Sequence, residues 1–327
     1  MKLLLELSLE CESLARSEAV AACESLGGTA KIFLQDPGII VLDTDVDPEA
    51  LASRLGLCHV VSEHLFSCSP DGLESNAERL EVPGPIRIRS TKVGEQKVDL
   101  SRTSRSIGAI VGESRGVDLH HPKTDLRIVY SRDVHVGRAI SSIERSAFEK
   151  RKNRYMPYFY PASLHPKFAR ALVNMSRVRA KQSLLDPFCG TGAILAEGAL
   201  VGLRAIGTDI SEKMIEGARQ NLDHLHLEAE LRRCDVGEIA KAVGDVSGIA
   251  TDPPYGKSTS TQGEMIPALY ERAFRSFSEV LDKGALVAMV VPRTSLLEDA
   301  SEFKLVEKHE LWVHRSLTRH FCLLRRN

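Results

Sequence analysis

Five short strand-like runs, at residues 182–188, 204–208, 231–235, 248–251 and 285–291, constrain this chain more than any other feature. Three stretches with helical spacing, 193–200, 212–222 and 267–281, fall between them. Strands that alternate with helices stack as a parallel sheet with helices on its faces, a doubly wound α/β arrangement. Two later runs, 303–313 and 320–325, read as an antiparallel hairpin that closes the sheet. The strands of a parallel sheet all end on one edge, and ligands bind in the crevices outside those carboxyl ends. The residues that follow each run are therefore the first candidates for chemistry.

The fourth run ends in Asp252-Pro253-Pro254-Tyr255. Two consecutive prolines forbid both a helix and a continued ladder, so the chain leaves the sheet there. The turn offers a carboxylate (Asp252), the carbonyls of Pro253 and Pro254 with no competing N–H, and the ring of Tyr255. Acceptors beside an aromatic face suit a planar base that carries an exocyclic amine. An ordinary Asx-Pro turn with a packed tyrosine would look the same in isolation, so the context has to decide.

The first run ends in Asp186-Pro187-Phe188-Cys189-Gly190-Thr191-Gly192, a strand-to-helix turn whose glycines let a ligand approach the backbone. A dinucleotide fold wants Gly or Ala three positions after Gly192, where this chain has Leu195, and no Lys-Ser/Thr pair follows to make a phosphate loop. Asp209, followed by Ile210, ends the second strand where a carboxylate accepts both ribose hydroxyls. Asp235, preceded by Cys234, ends the third and is placed to accept from an adenine amine. Asp209 alone would serve equally as a cap ahead of the helix at 212. Together, a glycine loop, a ribose acid and an adenine acid without a phosphate grip imply a nucleoside with no pyrophosphate, and S-adenosylmethionine fits. Its sulfonium suits a tyrosine face or carbonyl oxygens and needs no basic partner.

Ahead of this domain, residues 1–68 read as β-α-β-β-α-β. Strands at 2–9, 29–34, 38–42 and 58–66 alternate with helices at 13–26 and from Pro48, which Asp47 caps. That order is a split βαβ, ferredoxin-like unit. Residues 69–145 form a second small α/β unit. Its strands fall at 86–89, 126–130 and 134–140, and its helix at 101–113 carries Arg102 and Arg105 on one side. Residues 146–157 read as a basic linker and the last domain spans 158–327, opening on an amphipathic helix at 164–175 with Pro166 in its first turn.

Charge follows the same divisions. Residues 1–78 carry 4 Lys/Arg against 14 Asp/Glu, residues 79–180 carry 21 against 9, and the remainder carries 18 against 21. A basic middle between acidic and near-neutral flanks is the footprint of a polyanion partner. Seven cysteines without a Cys-x-x-Cys pair suggest neither a disulfide framework nor a zinc site. His120-His121 has no Cys or Asp at ligand spacing and reads as a turn. No apolar run reaches membrane-spanning length, and Glu6, Glu10 and Glu12 break any leader-like core, so a cytoplasmic, metal-free monomer is expected.

Two resemblances sharpen this reading. The element order of 69–145, with Val117-Asp118-Leu119, Pro122-Lys123 and Leu126-Arg127-Ile128, resembles a THUMP domain, a tRNA-binding module, which implies phosphate contacts on its basic faces. Essentially the whole chain resembles the archaeal THUMP-containing tRNA (guanine-10-N2)-methyltransferase family. The likeness lies in residues 157–166 with Ala169-Arg170 and Val173-Asn174, in 186–192, in 252–256 and in His314-Arg315-Ser316-Leu317-Thr318-Arg319. Tyr160 stands where relatives often have His. The resemblance implies a Rossmann-like class I methyltransferase domain and adds Ser163 and Leu164 to the cofactor set of Asp186, Cys189, Gly190, Gly192, Asp209, Ile210, Cys234 and Asp235. It makes Asp252, Pro253 and Tyr255 catalytic: a flipped guanine 10 stacks on Tyr255 while Asp252 and the Pro253 carbonyl take the hydrogens of its amine. A methyltransferase acting on another tRNA guanine, and a tRNA-binding protein with an inert domain, are the alternatives.

Overall fold

The computed structural model describes residues 1–161, 163–256, 265–298, 300–315 and 317–327. Ala162 and Ser316, members of two of the stretches that carry the resemblance, lie outside the described residues. The chain forms two compact units. The first holds Met1–Glu12, Gly28–Ser53 and Cys58–Ile143, and the second holds Ser13–Gly27, Arg54–Leu57 and Glu144–Asn327.

In chain order the first elements are β1 (Lys2–Leu7), α1 (Glu12–Ser25), β2 (Ala30–Asp36), β3 (Ile39–Thr44), α2 (Pro48–Arg54) and β4 (Cys58–Cys68). There follow α3 (Leu73–Ala77), β5 (Ile86–Lys92), α4 (Leu100–Gly112), β6 (Thr124–Tyr130), β7 (Val134–Ser142) and α5 (Arg145–Lys150). Then come α6 (Pro166–Met175), β8 (Ser183–Asp186), α7 (Ala193–Leu200), β9 (Arg204–Asp209), α8 (Glu212–His224) and β10 (Glu230–Arg233). The chain closes with α9 (Ile239–Val243), β11 (Val246–Thr251), α10 (Ile266–Val280), β12 (Leu281–Val291), β13 (Phe303–His314) and β14 (Leu317–Arg326).

The first unit is one seven-stranded sheet in the order β2-β3-β1-β4-β7-β6-β5, antiparallel except where β5 meets β6. The sequence division at residue 68 is not a break in it. Both backbone edges of β4 are used, one by β1 and the other by β7. A strand edge left open at the middle of the unit would strand a row of polar groups, and the shared pairing satisfies them. Leu3, Leu4 and Leu5 of β1 are fully buried, as suits a strand covered on both faces. Glu6 of the same strand takes two 2.7 Å hydrogen bonds from the Arg127 guanidinium of β6. Both side chains are buried, so losing one partner would cost about 3–5 kcal/mol. Arg87 and Arg89 of β5 both reach Asp125 of β6. That carboxylate offsets part of the charge that the sequence places there.

The second unit is a seven-stranded sheet in the order β10-β9-β8-β11-β12-β14-β13. The first five are parallel, and β14 and β13 return antiparallel, as the alternation of runs predicts. Helix α10 shows why its residues form a helix. Pro267 sits in the first turn, where its missing N–H costs nothing. Leu269, Tyr270, Ala273, Phe274, Phe277 and Val280 then recur along one face and bury against Ile249, Val287, Met289 and Leu324 of the sheet.

Two features of this unit differ from the sequence reading. Residues 13–27, expected within an N-terminal domain, belong to the second unit, where Glu18 of α1 is fully buried. It accepts from the N–H groups of Gly56 and Leu57, both at 2.8 Å, and from Asn174 at 2.9 Å. The expected linker 146–157 contains α5, which buries Phe148. Arg151, read there as a cation for a polyanion, forks onto Glu197 at 2.7 and 3.2 Å instead, and Arg170 takes the second oxygen at 2.7 Å. No described helix is long and apolar enough to cross a membrane.

Candidate active site

Four strands of the second sheet end on one edge, and each hands the chain to a loop that faces a cavity of about 230 Å³. Ser163, Leu164, Asp186, Cys189, Gly190, Asp209, Ile210, Cys234, Asp235, Asp252, Pro253 and Tyr255 all line it. Of the residues singled out in the sequence, Gly192 alone does not. It adopts φ 85° at the start of α7, and a Cβ there would lie 3.3 Å from the Cβ of Ala218 in α8, so its conformation and helix packing both call for glycine. Gly190 differs: its φ is 49°, and a Cβ would meet nothing nearer than the Phe188 carbonyl at 4.0 Å.

The loop after β8 is held from two sides. Asp209 at the end of β9 accepts from the Gly190 N–H at 3.0 Å and the Ser211 N–H at 2.9 Å, which ties the two loops together. Asn221 of α8, buried and invisible as a site residue in the sequence, donates to the carbonyls of Thr191 and Tyr158, each at 3.1 Å. It also accepts from the Tyr158 N–H at 2.9 Å. The hydroxyls of Ser163 and Thr191 lie 2.8 Å apart. Tyr158 and Ser163 are thereby anchored beside the glycine turn.

The carboxyls of the cavity are electrostatically crowded. Asp186 is buried, and that burial lifts it to about 7 against hydrogen bonds from Thr251 at 2.7 Å and the Phe188 N–H at 3.2 Å. The nearby charges of Asp252 and Asp209 push it the same way. Burial also raises Asp209, while its two backbone donors oppose the rise. A cation among these carboxylates would be stabilised, whereas a phosphate would face them without a partner. Arg272 of α10 is the one Lys or Arg among the described lining residues, and it is engaged with Asp235.

That ion pair was not legible in the sequence. Asp235 accepts from the Gly237 N–H at 2.8 Å and from both terminal nitrogens of Arg272. Burial pushes its carboxyl up, but Arg272 and the Gly237 N–H outweigh burial and hold it below the usual carboxylate range. A carboxylate has about four acceptor positions, so roughly one remains for an incoming amine.

The tetrapeptide carries the remaining chemistry. Asp252 is half-buried, and burial lifts its carboxyl to about 6, restrained first by Arg319 of β14 and then by the Tyr255 hydroxyl. Tyr255 donates to Asp252 Oδ1 at 2.5 Å and also bonds Arg319. Burial, followed by the Asp252 charge, pushes the phenol upward, so it stays protonated and donates. The aromatic face assigned to Tyr255 therefore comes with a hydroxyl that orients the acid. Arg319 belongs to the stretch 314–319 that carried part of the resemblance, and register explains its arrival. His320 pairs Val291 at the carboxyl end of β12, one strand from β11.

Comparison with known proteins gives a consistent result. A family profile described as "RMKL-like, methyltransferase domain" matches residues 153–320. The chain is 35% identical to the tRNA (guanine(10)-N2)-dimethyltransferase of Methanothermobacter thermautotrophicus, over 98% of both chains. It is 30% identical to the protein of that name from Pyrococcus abyssi, over 95% of both. Among solved structures, TrmN from Thermus thermophilus superposes with a TM-score of 0.57 over 100% of both chains at 22% identity, a likeness of fold.

Proposed function

This chain belongs to the family of the archaeal tRNA (guanine(10)-N2)-dimethyltransferases and has their methyltransferase domain, and from that premise we propose that it methylates the exocyclic N2 of guanine 10 in tRNA, once or twice. S-adenosylmethionine is the methyl donor, and when bound it supplies an electrophilic methyl on a cationic sulfur. The observation that carries the reading is the hydrogen-bonded Asp252–Tyr255 pair in the wall of a cavity crowded with carboxylates.

The residues divide the work. Asp209 takes the ribose hydroxyls, the one open position on Asp235 takes the adenine amine, and Ser163, Leu164, Asp186, Cys189, Gly190, Ile210 and Cys234 form the remaining walls. Gly192 supports the turn from behind. The guanine amine is a poor nucleophile because its lone pair is delocalised into the ring. Asp252 and the Pro253 carbonyl accept its two hydrogens and turn the lone pair out of the ring plane, while the Tyr255 ring supports the flipped base. With a carboxyl near 6, Asp252 is mostly ionised at neutral pH and can also accept the proton that the alkylated nitrogen releases. After one transfer one N–H remains, so a second round needs one acceptor alone.

The first unit supplies the grip on RNA in this reading. We take β1–β4, whose order β4-β1-β3-β2 is antiparallel throughout, as a ferredoxin-like domain over 1–68. Residues 69–145 are a THUMP domain that holds tRNA phosphates, and the catalytic domain runs over 158–327. Methyl transfer from labelled S-adenosylmethionine to an unmodified tRNA transcript, beside the same transcript with guanine 10 replaced, tests the proposal. Label in the first and none in the second supports it. Label in both keeps the chemistry and rejects the site, and label in neither rejects the activity.

A further inference from the structure

The chain has a single tryptophan, Trp312, and it is 70% exposed. Large aromatic residues are on average well buried, and a wet indole on a regular strand has to be explained by what covers it. Trp312 lies on β13, the edge strand of the second sheet. The middle of that edge is occupied within the unit, because Glu307 is bonded by Ser17 and Arg177 and by His309 of its own strand. At the far end of the strand Trp312 and Val313 are exposed.

The register places this end. Thr251 aligns with Met289, Met289 with Cys322 and Cys322 with Lys308. Trp312 is four residues past Lys308 and pairs with Thr318, so it lies beyond the carboxyl ends of the parallel strands, on the same edge as Asp252. Three inter-strand spacings sideways and about three residues of rise put it roughly 15–20 Å from the acid. Its neighbour across the hairpin is next in sequence to Arg319, whose guanidinium faces Asp252 and Tyr255. From Leu311 to Arg319 the chain contains His314, Arg315 and Arg319 and no Asp or Glu.

An exposed indole at the acid-free, cationic end of a hairpin, on the rim of a site for a flipped base, has the composition of a single-strand platform. Every base offers a π-face to an aromatic ring, and cations track the backbone. We propose that the β13–β14 hairpin is a second RNA contact of the catalytic domain, in which Trp312 stacks on an unpaired or splayed base of the substrate near the methylated nucleotide, with Arg315 on the adjoining phosphate. The proposal rests on the tRNA methyltransferase reading above.

The lone tryptophan is its own reporter. Titrating wild-type protein with unmodified tRNA transcript should quench its emission saturably, at the concentration where filter binding shows half-occupancy. Trp312→Ala should raise KM for tRNA roughly tenfold, with KM for S-adenosylmethionine and kcat at saturating tRNA within twofold of wild type. Trp312→Phe should restore most of the loss, and it serves if the alanine variant fails to fold. Methylation and RNA binding with unchanged emission and an unchanged KM in both variants would overturn the proposal. So would an emission change that tracks protein concentration without RNA, which would assign the indole to contact between copies. A wild-type protein that methylates no transcript would instead remove the functional reading.

Discussion

The hydroxyl of Tyr255 donates to Oδ1 of Asp252 at 2.5 Å, so the aromatic residue of the tetrapeptide is coupled to its acid. The bond favours the ionised carboxylate, and burial acts against it and lifts the carboxyl to about 6. The form that accepts hydrogens from an amine is the ionised one, so kcat should rise with pH through about 6. Tyr255→Phe keeps the ring and removes the donor, which raises the carboxyl further. The expected outcome is an acidic limb moved upward by about one pH unit, with kcat about threefold lower near pH 6.5 and recovered near pH 8.5. A pH–rate profile with the same limb in both proteins would mean that the hydroxyl does not tune Asp252.

Asp252→Ala separates catalysis from cofactor binding. In the proposed reading Asp252 takes hydrogens of the reacting amine and is not among the groups assigned to the nucleoside. Turnover should fall below detection while the Kd for S-adenosylmethionine by calorimetry stays within about threefold of wild type. Asp209→Ala should do the reverse. Hydrogen bonds to a charged acceptor contribute about 1.5–3 kcal/mol, so cofactor affinity should weaken on the order of 10–100-fold. Unchanged affinity would reassign Asp209 to tying the Gly190 and Ser211 loops together.

How far the sequence carried these assignments depended on whether the signal was local. Strand ends were legible because an apolar run stops where the chain leaves the sheet, and Asp186, Asp209 and Asp252 stand at such stops. The hairpin at 303–326 was legible for the same reason. Partners far apart in the chain were not. Arg272 is 37 residues from the aspartate it binds, Arg319 lies two strands over from Asp252, and Glu197 gathers Arg151 from the end of α5 and Arg170 from α6. A cation in a sequence reads as solvated or as facing a polyanion, and only packing reveals that it neutralises a buried acid. The helix at 145–150 was missed because one buried residue, Phe148, carries its apolar side. The assignment of residues 13–27 to the second unit follows from Glu18 meeting Gly56, Leu57 and Asn174, contacts that no periodicity encodes.

Glu18 makes a stability prediction with a definite sign. Burial raises its carboxyl from 4.5 to about 7, against its three donors. A raised acid binds its proton more tightly in the folded state, so it favours folding below about 4.5 and that contribution is lost as pH climbs to about 7. Glu18→Gln removes the titration. It also turns an NH₂ toward one of the two backbone N–H groups, an unmet donor that costs about 1–3 kcal/mol. Denaturant melts at pH 5 and pH 7.5 should show the variant less stable at both, with a smaller loss at pH 7.5. Equal losses at the two values would show that Glu18 stays ionised across the range.

Gly190 and Gly192 both have positive φ, yet their substitutions should fail differently. Alanine in a left-handed conformation costs about 1–2 kcal/mol at either position. At 192 the added Cβ also meets Ala218 of α8 at 3.3 Å, so Gly192→Ala should lower Tm by several degrees beyond the backbone cost. At 190 the new methyl enters open space in a residue that lines the cavity, so Gly190→Ala should lower Tm less and weaken S-adenosylmethionine binding more. Tm and cofactor Kd measured for both variants should therefore rank them in opposite orders. The same order in both measurements would show that the two glycines serve one turn as a unit, with no division between ligand approach and helix packing.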